Sequence, residues 1–220
     1  MLVRLRVLVL LAAVALASCV SAFAAENKLE AIGGYADPGA SEPLKKVLEA
    51  KGWRVNTADG AYCDIWLRAA VPAGKSDAQG AVYTLGESTL IGVITFAKPT
   101  TDFRGQAVKA GSYTLRYAVH PADGNHLGIS PIRDFLVMLP VAIDTNPDAS
   151  FKFEELMKMS TKVTGTNHPG VLSLAQPAGA PAAPKVETGD SNHVVFSASI
   201  KNQAGGTAPI SIIVKGHAEQ

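Results

Sequence analysis

The sequence predicts a mainly β protein, an antiparallel β-sandwich with one or two short covering helices. Three observations carry that expectation. From residue 53 to 143 apolar and polar residues alternate in steps of two. Turn residues interrupt the alternation at short intervals, at Asp59-Gly60, Pro72-Ala73-Gly74, Gly86-Glu87-Ser88, Lys98-Pro99 and Ala110-Gly111. The chain has 220 residues, 47% of them apolar and 18% charged, enough for one self-sufficient core and too apolar for disorder.

Residues 1–24 read as a signal peptide. Arg4 and Arg6 form a basic start, Val7 to Ala17 is an unbroken apolar run, and Ala22-Phe23-Ala24 is an A-x-A cleavage site. The apolar run is short for a membrane span, although Leu5 to Ala25 left uncleaved is long enough to act as an anchor. Leu16-Ala17-Ser18-Cys19 also resembles a lipobox, so lipidation at Cys19 is the competing outcome. Either way the protein is exported, periplasmic or extracellular. Without the leader the 20 basic and 19 acidic residues become a net charge of −1, which leaves no field to hold nucleic acid. A membrane is reached only through the lipid or an uncleaved leader.

Residues 25–220 then read as one sandwich domain, its elements as follows. A short strand lies near Leu29 to Tyr35. Ser41-Glu42-Pro43 starts a helix, Leu44, Val47 and Leu48 form its apolar stripe, and Gly52 closes it. This helix is expected to cover Trp66. Strands follow at Trp53 to Thr57, Ala61 to Ala70, Val82 to Gly86, Leu90 to Phe96, Gly111 to His120 and Asp134 to Val141. Cys63 falls on the apolar side of its strand. With Cys19 removed or acylated it has no intrachain partner, so it reads as a buried thiol. Tyr113, Leu115, Tyr117 and Val119 share one face, and Thr114, Arg116 and His120 share the other, which is expected to be solvated. Glu154 to Thr164 is helical, lined by Leu156, Met159, Ser160 and Val163 and ended by Gly165. Val171 to Leu174 is a short strand, and the Ala/Pro-rich stretch 177–189 is a loop or linker. A hairpin over 193–215 completes the sandwich.

Catalytic signatures are absent: no His-Glu-x-x-His, phosphate loop, Cys-x-x-Cys or Gly-x-Ser-x-Gly occurs, and no cofactor motif is present. Gly128-Ile129-Ser130-Pro131-Ile132 lacks the closing glycine, and Pro131 removes the N–H an oxyanion hole needs. What stands out is the long connection from His120 to Asp134, which exceeds a hairpin loop and gathers His120, Asp123, Asn125, His126, Arg133 and Asp134. His168, in a Gly/Pro context, is placed to approach the same rim. Three readings stay open. The segment is turn chemistry, with Arg133 and Asp134 tying it to its neighbours. Alternatively it is a small-ligand or glycan site, or a metal site, for which His-x2-Asp-x2-His matches no established motif. His193 and His217 are expected at the surface.

Asp102-Phe103-Arg104-Gly105-Gln106, Gly111-Ser112-Tyr113-Thr114-Leu115-Arg116-Tyr117, Asp123-Gly124-Asn125-His126-Leu127-Gly128 and Asn167-His168-Pro169-Gly170 resemble elements of a group of uncharacterised secreted bacterial proteins. The resemblance covers roughly residues 60–175. It implies export and a β-rich fold, and it carries over no activity and no catalytic residue. The function expected is a non-enzymatic binding or structural envelope domain with an envelope or small-molecule partner. A metal-dependent periplasmic enzyme using His120, Asp123, His126 and His168 is the alternative, and a lipoprotein held by Cys19 is the third.

Overall fold

A computed structural model describes residues 26–122 and 130–218. The leader with Cys19, and Asp123, Asn125 and His126, lie outside the described residues.

The protein is mainly β, built from antiparallel sheets with two α-helices. The large sheet takes strands β1 (Lys28–Ile32), β2 (Gly52–Thr57), β3 (Gly60–Leu67), β4 (Leu90–Phe96), β7 (Gly111–Val119), β8 (Asp134–Pro140) and β9 (Val171–Ser173) in that spatial order. It is therefore an antiparallel meander, with the small hairpin of β5 (Thr100–Thr101) and β6 (Ala107–Val108) inserted between β4 and β7. The second sheet is β10 (Lys185–Thr188), β11 (Val194–Lys201) and β12 (Thr207–Lys215), again in chain order. Its far edges return to those of the large sheet. Leu174 bridges Ile212, Ala175 N–H donates to Ser211 O at 2.9 Å, and Asn27 Nδ2 donates to Thr188 Oγ1 at 2.9 Å. Edge backbone is thus covered at β9 and β12.

Period-two alternation decides what faces inward. Cys63, Ile65 and Leu67 of β3, and Tyr113, Leu115, Tyr117 and Val119 of β7, meet Phe196, Ala198, Ile200, Ile210, Ile212 and Val214 in one cluster. The C-terminal hairpin buries its apolar face against the large sheet, since a lone hairpin would be marginal in water. Cys63 is buried as expected, and burial pushes its thiol well above the usual range.

The helices cover the other side of the large sheet. Helix α1 (Glu42–Val47) is capped by Ser41 Oγ, which accepts Leu44 N–H at 3.2 Å, and carries Pro43 in its first turn. It packs Leu44 on Trp66, together with the following Leu48. It stops before Leu48, short of the Gly52 expected, because the chain turns to pair with β3: Glu49 N–H reaches Leu67 O and Ala69 N–H reaches Val47 O. Gly52 instead lies against the Trp66 indole, where a Cβ would stand 2.3 Å from Nε1. Helix α2 (Phe153–Thr164) ends at Gly165, left-handed at φ 68°, as the sequence predicts. Its Ser160 hydroxyl donates to Met138 O at 2.7 Å and fixes the helix to β8.

Three expectations are corrected. The outer face of β7 is not solvated: Thr114, Arg116 and His120 are buried, because the 144–151 loop and Phe135 lie over them. Val82 to Gly86 forms no strand. Tyr83 and Leu85 are buried, but Val82 N–H and Tyr83 N–H donate to the Asp134 carboxylate instead of a ladder. The stretch 177–189 is not all loop, since Lys185–Thr188 pairs with β11 through Val186↔Phe196. In each case alternation is present while the partner of the backbone or side chain is non-local.

Candidate functional site

The long connection leaves β7 at His120 and enters β8 at Asp134, and its feet are fixed by polar groups. Val119 and Asp134 form the last register pair, and His120 N–H donates to Arg133 O at 2.9 Å. The fully buried Asp134 carboxylate accepts Val82 N–H at 3.0 Å, Tyr83 N–H at 2.9 Å and Tyr117 Oη at 2.5 Å. Burial, and then the proton held toward Asp134, push the Tyr117 phenol far up. Arg133 donates to the carbonyls of His120 and Gln79. Ser130 Oγ is hydrogen-bonded to Ser173 Oγ of β9. The tying role that the sequence offers for Arg133 and Asp134 is therefore present in the molecule.

A second element organises the same end. Between β5 and β6 the chain turns through Asp102 to Gln106, with Gly105 at φ 79°. Asp102 is fully buried and accepts Arg104 N–H at 3.0 Å, Gln106 N–H at 2.8 Å, Gln106 Nε2 at 3.0 Å and Val171 N–H at 3.2 Å. Burial raises its pKa despite those donors, which pull it down. Phe103 N–H donates to Val171 O at 3.0 Å, while Phe103 O accepts Ala218 N–H at 2.8 Å.

The described histidines surround this turn. His120 is buried and stacked on Phe135, ring centroids 4.0 Å apart and 12° between planes. A water-sized hollow of about 10 Å³ separates it from Phe103, Arg104 and Ser173. His193 sits edge-on to Phe103 at 5.4 Å, and its Nε2 lies 3.1 Å from His217 O, which makes Nε2 the donor. His193 is buried rather than at the surface, because Phe103 covers it. His217 is exposed. His168 is exposed too, and its loop is held to Gln106: Thr166 Oγ1 donates to Gln106 Oε1 at 2.8 Å and Gln106 Nε2 donates to Pro169 O at 2.9 Å.

Of the predicted site residues, His120, Arg133 and His168 thus fall at one end of the sandwich, next to the Asp102–Gln106 turn. Asp123, Asn125 and His126 belong to the connection whose feet are fixed there. Among the described residues, no three His, Cys, Asp or Glu side chains gather closely enough to hold a metal ion. Nor, among those residues, is any helix long and apolar enough to cross a membrane. Sequence reasoning missed Asp102, Phe103 and Gln106 as organisers. The Asp-x-x-Gly-Gln pattern marks a turn, but its contacts with Val171, Pro169 and Ala218 are distant in the chain.

No family model, curated protein or solved structure matches this chain.

Proposed function

We propose that this chain is an exported, non-enzymatic binding domain of the bacterial envelope. It engages a surface component or small molecule through the histidine-bearing end formed by the His120–Asp134 connection and the Asp102–Gln106 turn. The observation that carries this reading is the clamping of the connection's feet: Asp134, Arg133 and Ser130 each hold it to a different neighbour. Binding loops gain affinity when their ordering cost is met by the scaffold in advance. The basic, apolar and A-x-A segments of the leader support export, as does the resemblance to secreted bacterial proteins. The absence of catalytic motifs from the sequence supports a binding role.

Co-sedimentation of the purified mature chain with isolated outer membrane and with peptidoglycan sacculi tests the binding reading. Wild type is expected to partition with one fraction, and His126→Ala is expected to lower the bound share at least fivefold with Tm unchanged. Equal partitioning of the variant overturns the reading, and so does a large drop in Tm, which would make the histidine structural. Edman sequencing of the exported form checks the leader. An N-terminus at Ala25 means soluble export, a blocked lipidated Cys19 means a lipoprotein, and Met1 on protein confined to the cytosol rejects export.

A further inference from the structure

None of the predicted site residues lines a hollow on the outer face of the three-stranded sheet. It has a volume of about 470 Å³, within the range of small-molecule sites. Its floor is Ser197 and Ser211, paired across β11 and β12. The loop 175–181 forms one wall, with Ala178 and Gly179, and Lys185 and Glu187 of β10 stand on the rim.

Three features give this hollow chemical content. First, the floor has spare hydrogen-bonding capacity. Ser197 and Ser211 are only 8% and 6% exposed, and their hydroxyls meet each other at 3.0 Å. Two hydroxyls carry two protons, and that contact uses one. Among the described residues no other acceptor takes the second proton, which leaves it and the free lone pairs for a ligand in the hollow that both serines line. Second, the wall is fixed. Ala175 N–H donates to Ser211 O at 2.9 Å, Tyr83 Oη donates to Ala175 O at 2.8 Å, and Ser199 Oγ donates to Pro181 O at 2.8 Å. The Ala/Pro stretch is thereby stapled over the sheet at both ends. Third, the rim carries one charge of each sign, Lys185 Nζ and Glu187 Oε2, 2.6 Å apart and each about half exposed.

The lining also excludes ligand classes. It has no aromatic ring on which a sugar or nucleobase would stack, and a single cation balanced by an anion is a poor seat for phosphate. Small side chains let a ligand's main chain approach the wall closely, a hydroxyl floor serves amide N–H and C=O groups, and two half-exposed side chains of opposite charge, free to part from each other, suit the two charged ends of an unblocked peptide. We propose that this hollow binds a short zwitterionic peptide of small residues. Its backbone hydrogen-bonds the Ser197–Ser211 pair, its carboxylate meets Lys185, and its ammonium meets Glu187.

Isothermal titration of the full mature chain with unblocked tri-alanine, and with N-acetyl tri-alanine amide, tests the assignment. The unblocked peptide is expected to bind with a millimolar or lower Kd, and the blocked one at least tenfold more weakly. Ala178→Trp, which fills the hollow from an exposed loop position, is expected to abolish binding. Lys185→Glu, at an exposed side chain that cannot unfold the core, is expected to weaken it at least tenfold. No heat with either peptide at 20 mM, equal affinity for the blocked peptide, or binding unchanged in Lys185→Glu each overturn the proposal. His126→Ala is expected to leave tri-alanine binding intact, so this site and the histidine end stand or fall separately.

Discussion

Arg116 and Asp144 form a two-pronged ion pair in a fully buried position, with Nε and Nη2 each 2.7 Å from a carboxylate oxygen. The remaining guanidinium protons reach Ser88 O, Ala149 O and Asn146 O at 2.7–2.8 Å, so all five donors are occupied. Thr114 Oγ1 adds a bond to Asp144 at 2.6 Å. Phe151 lies 4.8 Å from the guanidinium carbon. One side chain of β7 thereby fastens the whole 144–151 loop over the outer face of the sheet. Arg68 repeats the device beside it, donating to Pro147 O at 3.0 Å and to Asp148 Oδ1 at 2.5 Å.

Removing one member of the buried pair leaves the other charge stranded. Asp144→Ala is expected to cost about 3–5 kcal/mol in urea unfolding, and Arg116→Met a similar amount. The double variant Arg116→Met with Asp144→Leu is expected to recover much of the loss, since no charge is then buried. A loss under 1 kcal/mol in Asp144→Ala would contradict the burial of this pair.

Asp134 holds the 82–83 segment and the foot of the long connection together. Asp134→Ala strips acceptors from two backbone N–H groups and from Tyr117, and is expected to destabilise by about 3 kcal/mol. Hydrogen exchange is the sharper readout. Val82 and Tyr83 amides are expected to lose protection before the β3–β4 amides do. Unchanged protection at Val82 would remove Asp134 from its anchoring role.

All five tyrosines have pKa values raised by burial, Tyr35 and Tyr83 to about 12. The sign follows from linkage. Between pH 10 and 12 the unfolded chain loses phenolic protons that the native state keeps, so stability falls as pH rises. For the well-buried Tyr83 alone the slope is about 1.4 kcal/mol per pH unit. Absorbance at 295 nm is expected to show no phenol titrating at its ordinary value in the native protein, followed by a steep cooperative rise on alkaline unfolding. A tyrosine ionising at pH 10 without unfolding would refute this.

Cys63 is inert by the same logic, because burial raises its pKa and its neighbours are apolar. A thiol reagent at pH 8 is expected to leave native protein unmodified for hours and to react at once in 6 M guanidinium chloride. Rapid native labelling would place the thiol outside the core.

Gly52 and Trp66 show how far local reading extends. Alternation along Cys63-Asp64-Ile65-Trp66-Leu67 puts Trp66 on the helix side, and helix α1 does cover it. The same reading takes Gly52 as a helix stop, whereas it is the one residue small enough to lie against the indole. Of the candidate site, the polar excursion from His120 to Asp134 is legible as an unusually long connection. The Asp102–Gln106 turn beside it is not, since Phe103 meets Val171, His193 and Ala218 only after folding.

The sequence by itself determined the long strands β2, β3, β4, β7, β8, β11 and β12, the presence of both helices and the inward faces, because period and capping are properties of neighbouring residues. Tertiary structure alone decided that Arg116 is buried, that Val82 and Tyr83 pair with a carboxylate, and that an Ala/Pro loop roofs a hollow over Ser197 and Ser211. Each of those outcomes satisfies a polar group with a partner tens of residues away, and a residue's nearest neighbours in the chain carry no record of that partner.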